Sequence, residues 1–396
     1  MMHRTMAFSG LVGLGLLLLA VAPAQSRTWT VELDGSGDFT QIQAAVDAAS
    51  DGDEIRIGTG RFDHYQTIVD NGHTWDIHVF VPDGLEVSFF GSGVGQTIIG
   101  PSNPESHNEY TYGFAAIHDV DLAFRDLTIE NCNHRMIGMV SGALRVERCS
   151  FSYVGTPGTD TIAIDGGFSD GAEIRDCEFL GVAEGVATIS SVGGVTIERC
   201  RFECGLGVYA WTSGSSEVTV FDSEFDCDNI GIAFLSGAGG TIEQCRLENC
   251  ILELTDTAEV TVIGSVVYRN DGGVAVLLSN NEPVIITNNV FESNGMLMRL
   301  GSYGLGTIRE NHFVCSNDGY WIYCPYHPTF QQDIDLSGNY WGTTNIEEIA
   351  EGIWDCQDDD HAYHCVIFEP IADGPVSVEQ KSWGSVKGLF ESGGEE

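Results

Sequence analysis

The chain has 396 residues, and its 58 Asp and Glu against 17 Lys and Arg give a formal net charge of −41 at pH 7. Such a surface repels phosphates, which excludes nucleic acid and other polyanions as partners. Lysine occurs only at Lys381 and Lys387; this scarcity fits a salt-rich habitat or cation binding, and its plainest reading is a solvated acidic surface.

Residues 1–24 read as a secretory signal. Arg4 supplies the positive start, Met6 to Ala20 the apolar run, and Ala22-Pro23-Ala24 the small-residue cleavage site. The mature chain is expected to begin near Gln25. The apolar run is short for a membrane span, and no later stretch could cross a bilayer. The expected location is therefore secreted, periplasmic or cell-surface, where the 12 Cys are free to form disulfides.

Residues 25–62 read as an N-terminal cap. Thr30 to Leu33 forms a short strand, Asp34 to Asp38 a turn, and Thr40 with Gln43 a capping box. Ile42, Ala45, Val46 and Ala49 give the following helix one apolar stripe. That stripe would cover the open first coil and its strand edges. Residues 63–120 are the least regular and carry His64, His73, His78, His107 and His118 with Asp63, Asp70, Asp76 and Asp119. Asp76 and His78 would share one strand face. No spacing here matches a metal-ligand motif, so no metal residue is assigned.

From Leu122 one octad recurs. It reads LRVERCSF at Leu144, AEIRDCEF at Ala172, VTIERCRF at Val195 and GTIEQCRL at Gly240, and its last copy, IDLSGNYW, ends at Trp341. Its sixth position falls at Leu127, Cys149, Cys177, Cys200, Ser223, Cys245, Ser265, Asn289, Asn311 and Asn339. Subtracting neighbouring numbers gives steps of 22, 28, 23, 23, 22, 20, 24, 22 and 28 residues. A period in the low twenties marks units that bury their apolar faces only by stacking. Within each unit apolar residues alternate, which is strand patterning. A second apolar run follows after a Gly, as in Gly207-Val-Tyr-Ala-Trp. Leucine-rich repeats share the period but need leucine-spaced units that are absent. The expected fold is all-β: a single-stranded right-handed parallel β-helix of about ten or more coils over residues 63–342. At the register mark, stacked Asn amides can bond one another and the turn backbone, while stacked Cys packs as a small apolar filler.

The 28-residue step after Cys149 holds an insertion with Asp160, Asp165 and Asp170. Paired carboxylates there could serve acid/base hydrolysis or hold calcium, although Asp and Gly also suit turns. Asp160 and Asp165 are the candidate catalytic pair. On the Gly-led strands, Tyr209 and Trp211 are expected to face outward as a substrate-binding platform, in one otherwise small and apolar column with Gly138, Ala163, Ala187, Ala233 and Ala275; such a strip equally suits a surface covered by a loop, the tail or a second subunit. Among the cysteines, Cys315–Cys324 and Cys356–Cys365 each bracket a short polar loop and are the expected disulfides, and Cys204 and Cys227 could stack or bond.

Residues 343–372 read as a C-terminal cap. Thr344 and Glu347 form a second capping box. Ile346, Ile349, Ala350 and Ile353 form a stripe, and the acidic loop Asp358 to His361 leads to a strand at Val366 to Phe368. The tail, residues 373–396, carries both lysines.

Three stretches carry a resemblance. The Asn and small-residue ladder resembles that of the pectate-lyase-like superfamily of right-handed β-helices. DGSGDFTQIQAAVDAASDGDEIRI, from Asp34, resembles the N-terminal segment of pectin methylesterases. GNYWGTTN followed by a helix, an acidic loop and VIFEP resembles the closing segment of secreted bacterial β-helix proteins. GNYW is also similar to the end of periplasmic NosD-type proteins. The resemblance implies the fold, and it implies that the outer face of the Gly-led strands is the substrate groove. It does not supply a catalytic set: the Gln and paired Asp of the esterases and the NTD, DD, GHG and RIK motifs of polygalacturonases are missing. Arg135, Arg269 and Arg299 are isolated candidates for the base of a lyase. The function expected first is an exported β-helix that binds carbohydrate, a polysaccharide or cell-surface glycan, or serves as surface structure. A polysaccharide lyase, hydrolase or esterase is the alternative, and a NosD-like metal-handling accessory the third. Whether it is an enzyme is undecided. No cofactor is implied, with calcium left open.

Overall fold

A computed structural model describes residues 26–375 apart from 71, 105–109, 190–192, 212–216, 280–282, 302–305, 316–318, 326–332 and 359–364. The signal segment, His107, the loop residues Asp359 to His361 and the tail from 376 lie outside the described residues.

Each octad with its Gly-led run builds one coil of three short strands. The coil that begins at Val195 shows the pattern. Val195–Glu198 lies in a 12-stranded sheet, Arg201–Glu203 in an 11-stranded sheet and Leu206–Trp211 in a 13-stranded sheet. Each strand pairs in parallel with its copy one coil on: Val195 with Val218, Phe202 with Phe225, Val208 with Ile232. The result is an all-β right-handed parallel β-helix of about twelve turns. Among the described residues, the one antiparallel pair of strands is Gln66–Asp70 with His73–Val81.

The register mark forms a single column at the turn between the 12- and 11-stranded sheets. Asn289 N and Nδ2 both donate to Asn311 Oδ1, at 3.0 and 3.1 Å, and Asn311 N and Nδ2 donate in the same way to Asn339 Oδ1, at 2.9 and 3.0 Å. Each amide also caps turn carbonyls, Asn311 those of Ile286 and Arg309. The chain continues upward through Ser265 N to Asn289 Oδ1, 2.8 Å, and Cys200 N to Ser223 Oγ, 3.1 Å. Cys149, Cys177 and Cys200 fill the upper column, fully buried.

The residue before each mark takes the left-handed conformation, with φ of 57° at Asp126, 51° at Arg148, 53° at Asp176, 51° at Arg199 and 46° at Asp222. That geometry is costly for a side chain with a Cβ. Here the alternation of sign offsets it: Arg148 forks onto Asp126 at 2.7 and 2.8 Å, and Arg199 onto Asp176 at 2.7 and 2.9 Å.

Inside, the octad's last residue forms an aromatic stack. Phe151, Phe179, Phe202 and Phe225 lie 5.1, 4.5 and 4.6 Å apart and within 7° of parallel. Each buried ring contributes roughly 1.5–3 kcal/mol through lost water contact.

A short helix lies toward each end of the coils. Helix α1, Ile42–Ala48, buries Ile42, Ala45 and Val46 against Thr28–Val31, Asp53–Ile57 and His73–Val81. Its N-cap is Gln41 with no side-chain bond, so the Thr40–Gln43 box does not form. Gln43 instead grips the strand His73–Val81: its Nε2 donates to Phe80 O at 3.0 Å, and Phe80 N donates to its Oε1 at 2.8 Å. Helix α2, Ile346–Glu351, is capped by Asn345, whose side chain accepts from Glu347 N, in place of Thr344. Only Ile349 of its stripe is buried in the helix; Ile346 and Ala350 are exposed, and Ile353 belongs to a strand paired with Ile322–Tyr323.

Cys356 and Cys365 are disulfide-bonded. Cys315 and Cys324, expected to pair, are both thiols. The reason is topological: Cys315 ends a strand of the 11-stranded sheet and donates to Gly295 O at 3.3 Å, whereas Cys324 follows a strand of the 13-stranded sheet and is fully buried. Cys204 and Cys227 stack with their sulfurs 3.7 Å apart.

Candidate functional site

The outer face of the 13-stranded sheet gathers the polar and aromatic residues that packing does not explain. Its strands bend once. Arg135 pairs with Ile162 and Ile137 with Ile164, yet Met136 and Ile137 are both fully buried. Two successive side chains therefore point inward, and the outward phase resumes one residue later than strict alternation gives.

This bend corrects the predicted column. In register, Gly138 is followed by Asp165, Ala187, Tyr209, Ala233, Glu253, Leu277 and Arg299. Ala163 and Ala275 are buried in the core instead. The strip is thus charged at three positions, not uniformly small and apolar. Tyr209 is half-buried on it, and Trp211, two residues on, is 48% exposed.

Toward the N-terminal end lies a ring cluster. Trp75 stacks on Tyr110 at 4.8 Å with planes 25° apart. His134 meets Tyr110 edge-on at 4.9 Å and Tyr112 at 5.1 Å, and Trp75 lies 5.7 Å from Tyr112. In-register pairing of Trp75 with Tyr110, and of Tyr112 with Arg135, brings these rings together from three successive strands. All are partly exposed. Burial, helped by the neighbouring Arg135 charge and opposed by Asp160, pushes His134 down to about 4, so its ring is neutral near pH 7.

Beside the rings sits a charged cluster. Arg135 donates through Nε to Asp165 and through Nη1 to His134 Nδ1 at 2.7 Å. Glu184, one coil on, is half-buried, and burial raises its carboxyl above the usual range; Asp165 and Asp160 add to the rise and Arg135 opposes it. Burial also raises Tyr209, with Glu184 and Glu253 adding to it. Asp160 is exposed on the turn before the strand Ile162–Gly166, which carries Asp165. Asp160 and Asp165 thus act on the same two groups, Glu184 directly and the His134–Arg135 unit beside it. Asp170 lies apart, on the turn toward the 12-stranded sheet, where Ser169 Oγ donates to it at 3.0 Å.

Of the other candidates, Arg269, Asp76 and His78 already have partners. Arg269, 9% exposed, forks onto Asp271 at 2.6 and 2.8 Å and donates to Val274 O. Arg299 is exposed at the far end of the strip. Asp76 is buried and accepts from Thr67 Oγ1 at 2.7 Å; His78 is buried with Nδ1 3.0 Å from His64 O, beside a cavity of about 50 Å³ under α1. Among the described residues, no group of three or more His, Cys, Asp or Glu side chains is arranged to hold a metal ion. Trp75, Tyr110, Tyr112 and Glu184 were not singled out from sequence. The alternation Tyr110-Thr-Tyr112 is the signal that could have found two of them, since it places both rings on one strand face.

Comparison with known proteins bears on the fold. The family described as "Right handed beta helix region" matches residues 160–334. That match covers less than half of the chain, and the coils on either side of it continue the same parallel β-helix. Among solved structures this β-helix is similar to a pectin methylesterase from carrot, at 16% identity over 67% of this chain and 83% of that one, with a TM-score of 0.28. A likeness of that size carries no argument about activity. A search of curated proteins found no match. Among the described residues, no helix of this β-helix protein is long and apolar enough to cross a membrane.

Proposed function

We propose that this protein is an exported β-helix, secreted, periplasmic or held at the cell surface, that binds carbohydrate along the outer face of its 13-stranded sheet. One observation carries the reading: the Trp75–Tyr110–Tyr112–His134 rings stand beside the Arg135, Asp165 and Glu184 side chains on the same open strip. Ring faces stack on the apolar faces of sugars, and adjacent fixed donors and acceptors read hydroxyls. Tyr209 and Trp211 extend the strip one coil beyond Glu184.

Affinity measurements against a panel of soluble polysaccharides test it. Trp75→Ala and Tyr110→Ala should each weaken binding by about 2 kcal/mol, roughly thirtyfold, as for a central aromatic contact. Binding that survives both substitutions, or a panel with no ligand in it, would overturn the reading. A hydrolytic reading has its own support in two neighbouring carboxylates of unlike environment, Asp165 held by Arg135 and Glu184 raised by burial. Release of reducing ends in the same panel, abolished by Glu184→Gln, would decide for it. The metal-handling reading has no such constellation behind it among the described residues.

A further inference from the structure

The charge along the strip is lopsided, and this selects the ligand. Four carboxylates line it, those of Asp160, Asp165, Glu184 and Glu253; of the two guanidiniums on the strip, Arg135 is already committed to Asp165 and Arg299 stands at the far end, two coils beyond Glu253. Beyond the rings, from Asp165 to Glu253, the strip crosses four in-register steps, about 19 Å at the spacing of neighbouring strands. Its first and last column positions are carboxylates, and Tyr209 lies midway. The molecule as a whole, at −41, adds a long-range field of the same sign.

We propose that the occupant is a cationic amino-sugar polymer, a chain of sugars bearing free ammonium groups. This rests on the carbohydrate reading above and narrows it. Three physical effects point the same way. Ammonium groups at intervals along a polymer would sit opposite Asp165, Glu184 and Glu253, where partial burial keeps water and salt from screening the pair fully. An ammonium near Glu184 removes the cost that burial and the neighbouring Asp165 impose on its ionised form. The faces of Trp75, Tyr110 and Tyr209 attract cations as well as the apolar faces of sugar rings. A polyuronate, by contrast, would bring carboxylates against carboxylates, with Arg135 already committed and Arg299 set two coils beyond Glu253.

The test uses the full mature chain and three hexasaccharides of like length: glucosamine, its neutral N-acetyl counterpart, and galacturonate. Titration calorimetry should give the glucosamine hexamer an affinity about tenfold or more above the N-acetyl hexamer, a preference that shrinks as salt rises from about 50 to about 500 mM. Glu184→Gln and Glu253→Gln should each reduce that preference about threefold, as expected for a partly screened charge pair, by lowering the glucosamine affinity more than the N-acetyl affinity. Glu253 lies on the outer strip away from the core, so its variant stands as a second reading should Glu184→Gln fold poorly. Equal affinity for the amine and its N-acetyl form, or tighter binding of galacturonate, would overturn the charge selection while leaving carbohydrate binding in place. Failure of all three hexamers to bind would overturn the selection and the reading beneath it together.

Discussion

The Asn ladder shows how much one side chain can carry in this fold. Asn311 receives two hydrogen bonds from Asn289 and gives two to the carbonyls of Ile286 and Arg309, all with the residue fully buried. Its replacement by Ala would orphan the Asn289 N–H and two turn carbonyls at once. Each unsatisfied buried group costs about 1–3 kcal/mol. Partial relaxation limits the total, and Asn311→Ala should destabilise the late coils by about 3–4 kcal/mol. Hydrogen exchange is the suitable probe, because a stacked array opens locally: protection should fall at Val284–Thr287 and Thr307–Arg309 and stay unchanged near Val195. A uniform loss across the solenoid would contradict the local character of the ladder. This column was legible in the sequence because identical positions meet in space, so a repeated letter is also a repeated contact. The residue preceding it was not. Asp126, Arg148, Asp176 and Arg199 look like ordinary surface charges until their left-handed conformation and forked pairing are seen together.

At the scale of elements, the strands followed from alternation, whereas the strand bend did not. Met136 beside Ile137 gives two buried apolar residues in succession, which period-2 patterning reads as one inward and one outward. The whole outward phase then slips, and that slip is why Ala163 and Ala275 were assigned to a column that Asp165 and Leu277 occupy. The caps show a related limit. Thr40 and Gln43 satisfy the spacing of a capping box, yet Gln43 is drawn away because the backbone of Phe80 offers it both a donor and an acceptor. Phe80 also pairs in register with Ala115, so Gln43 ties α1 to the 13-stranded sheet at its start. Gln43→Ala should therefore cost about 1–2 kcal/mol, more than the few tenths expected of a surface helix position. Exchange at Phe80 and in α1 should rise together. If α1 loosened while Phe80 N–H kept its protection, the bridge would not be what holds the cap.

For the molecule as a whole, charge is the dominant feature that composition alone sets. A net charge of −41 spreads over a rod whose outer faces are one strand deep, so like charges repel along the full length of the coils. The paired arginines soften this only locally: Arg148 and Arg199 answer Asp126 and Asp176, and Arg125 answers Glu147. Exposed pairs contribute about 0–1 kcal/mol each and weaken with salt. The summed repulsion also weakens with salt, and it is far larger here because acidic groups outnumber basic ones 58 to 17. At an ionic strength of 0.01 M the Debye length is about 30 Å, and at 1 M about 3 Å, so repulsion across several coils is present in the first case and absent in the second. Thermal stability should therefore rise steadily with sodium chloride over that range, and the rise should be steeper at pH 8 than at pH 4, where protonation of carboxylates has already removed part of the repulsion. Melting curves at matched salt concentrations check this directly. A midpoint that fell with added salt at pH 8 would mean that the arginine ladders, and not the carboxylate excess, govern the electrostatics of the solenoid.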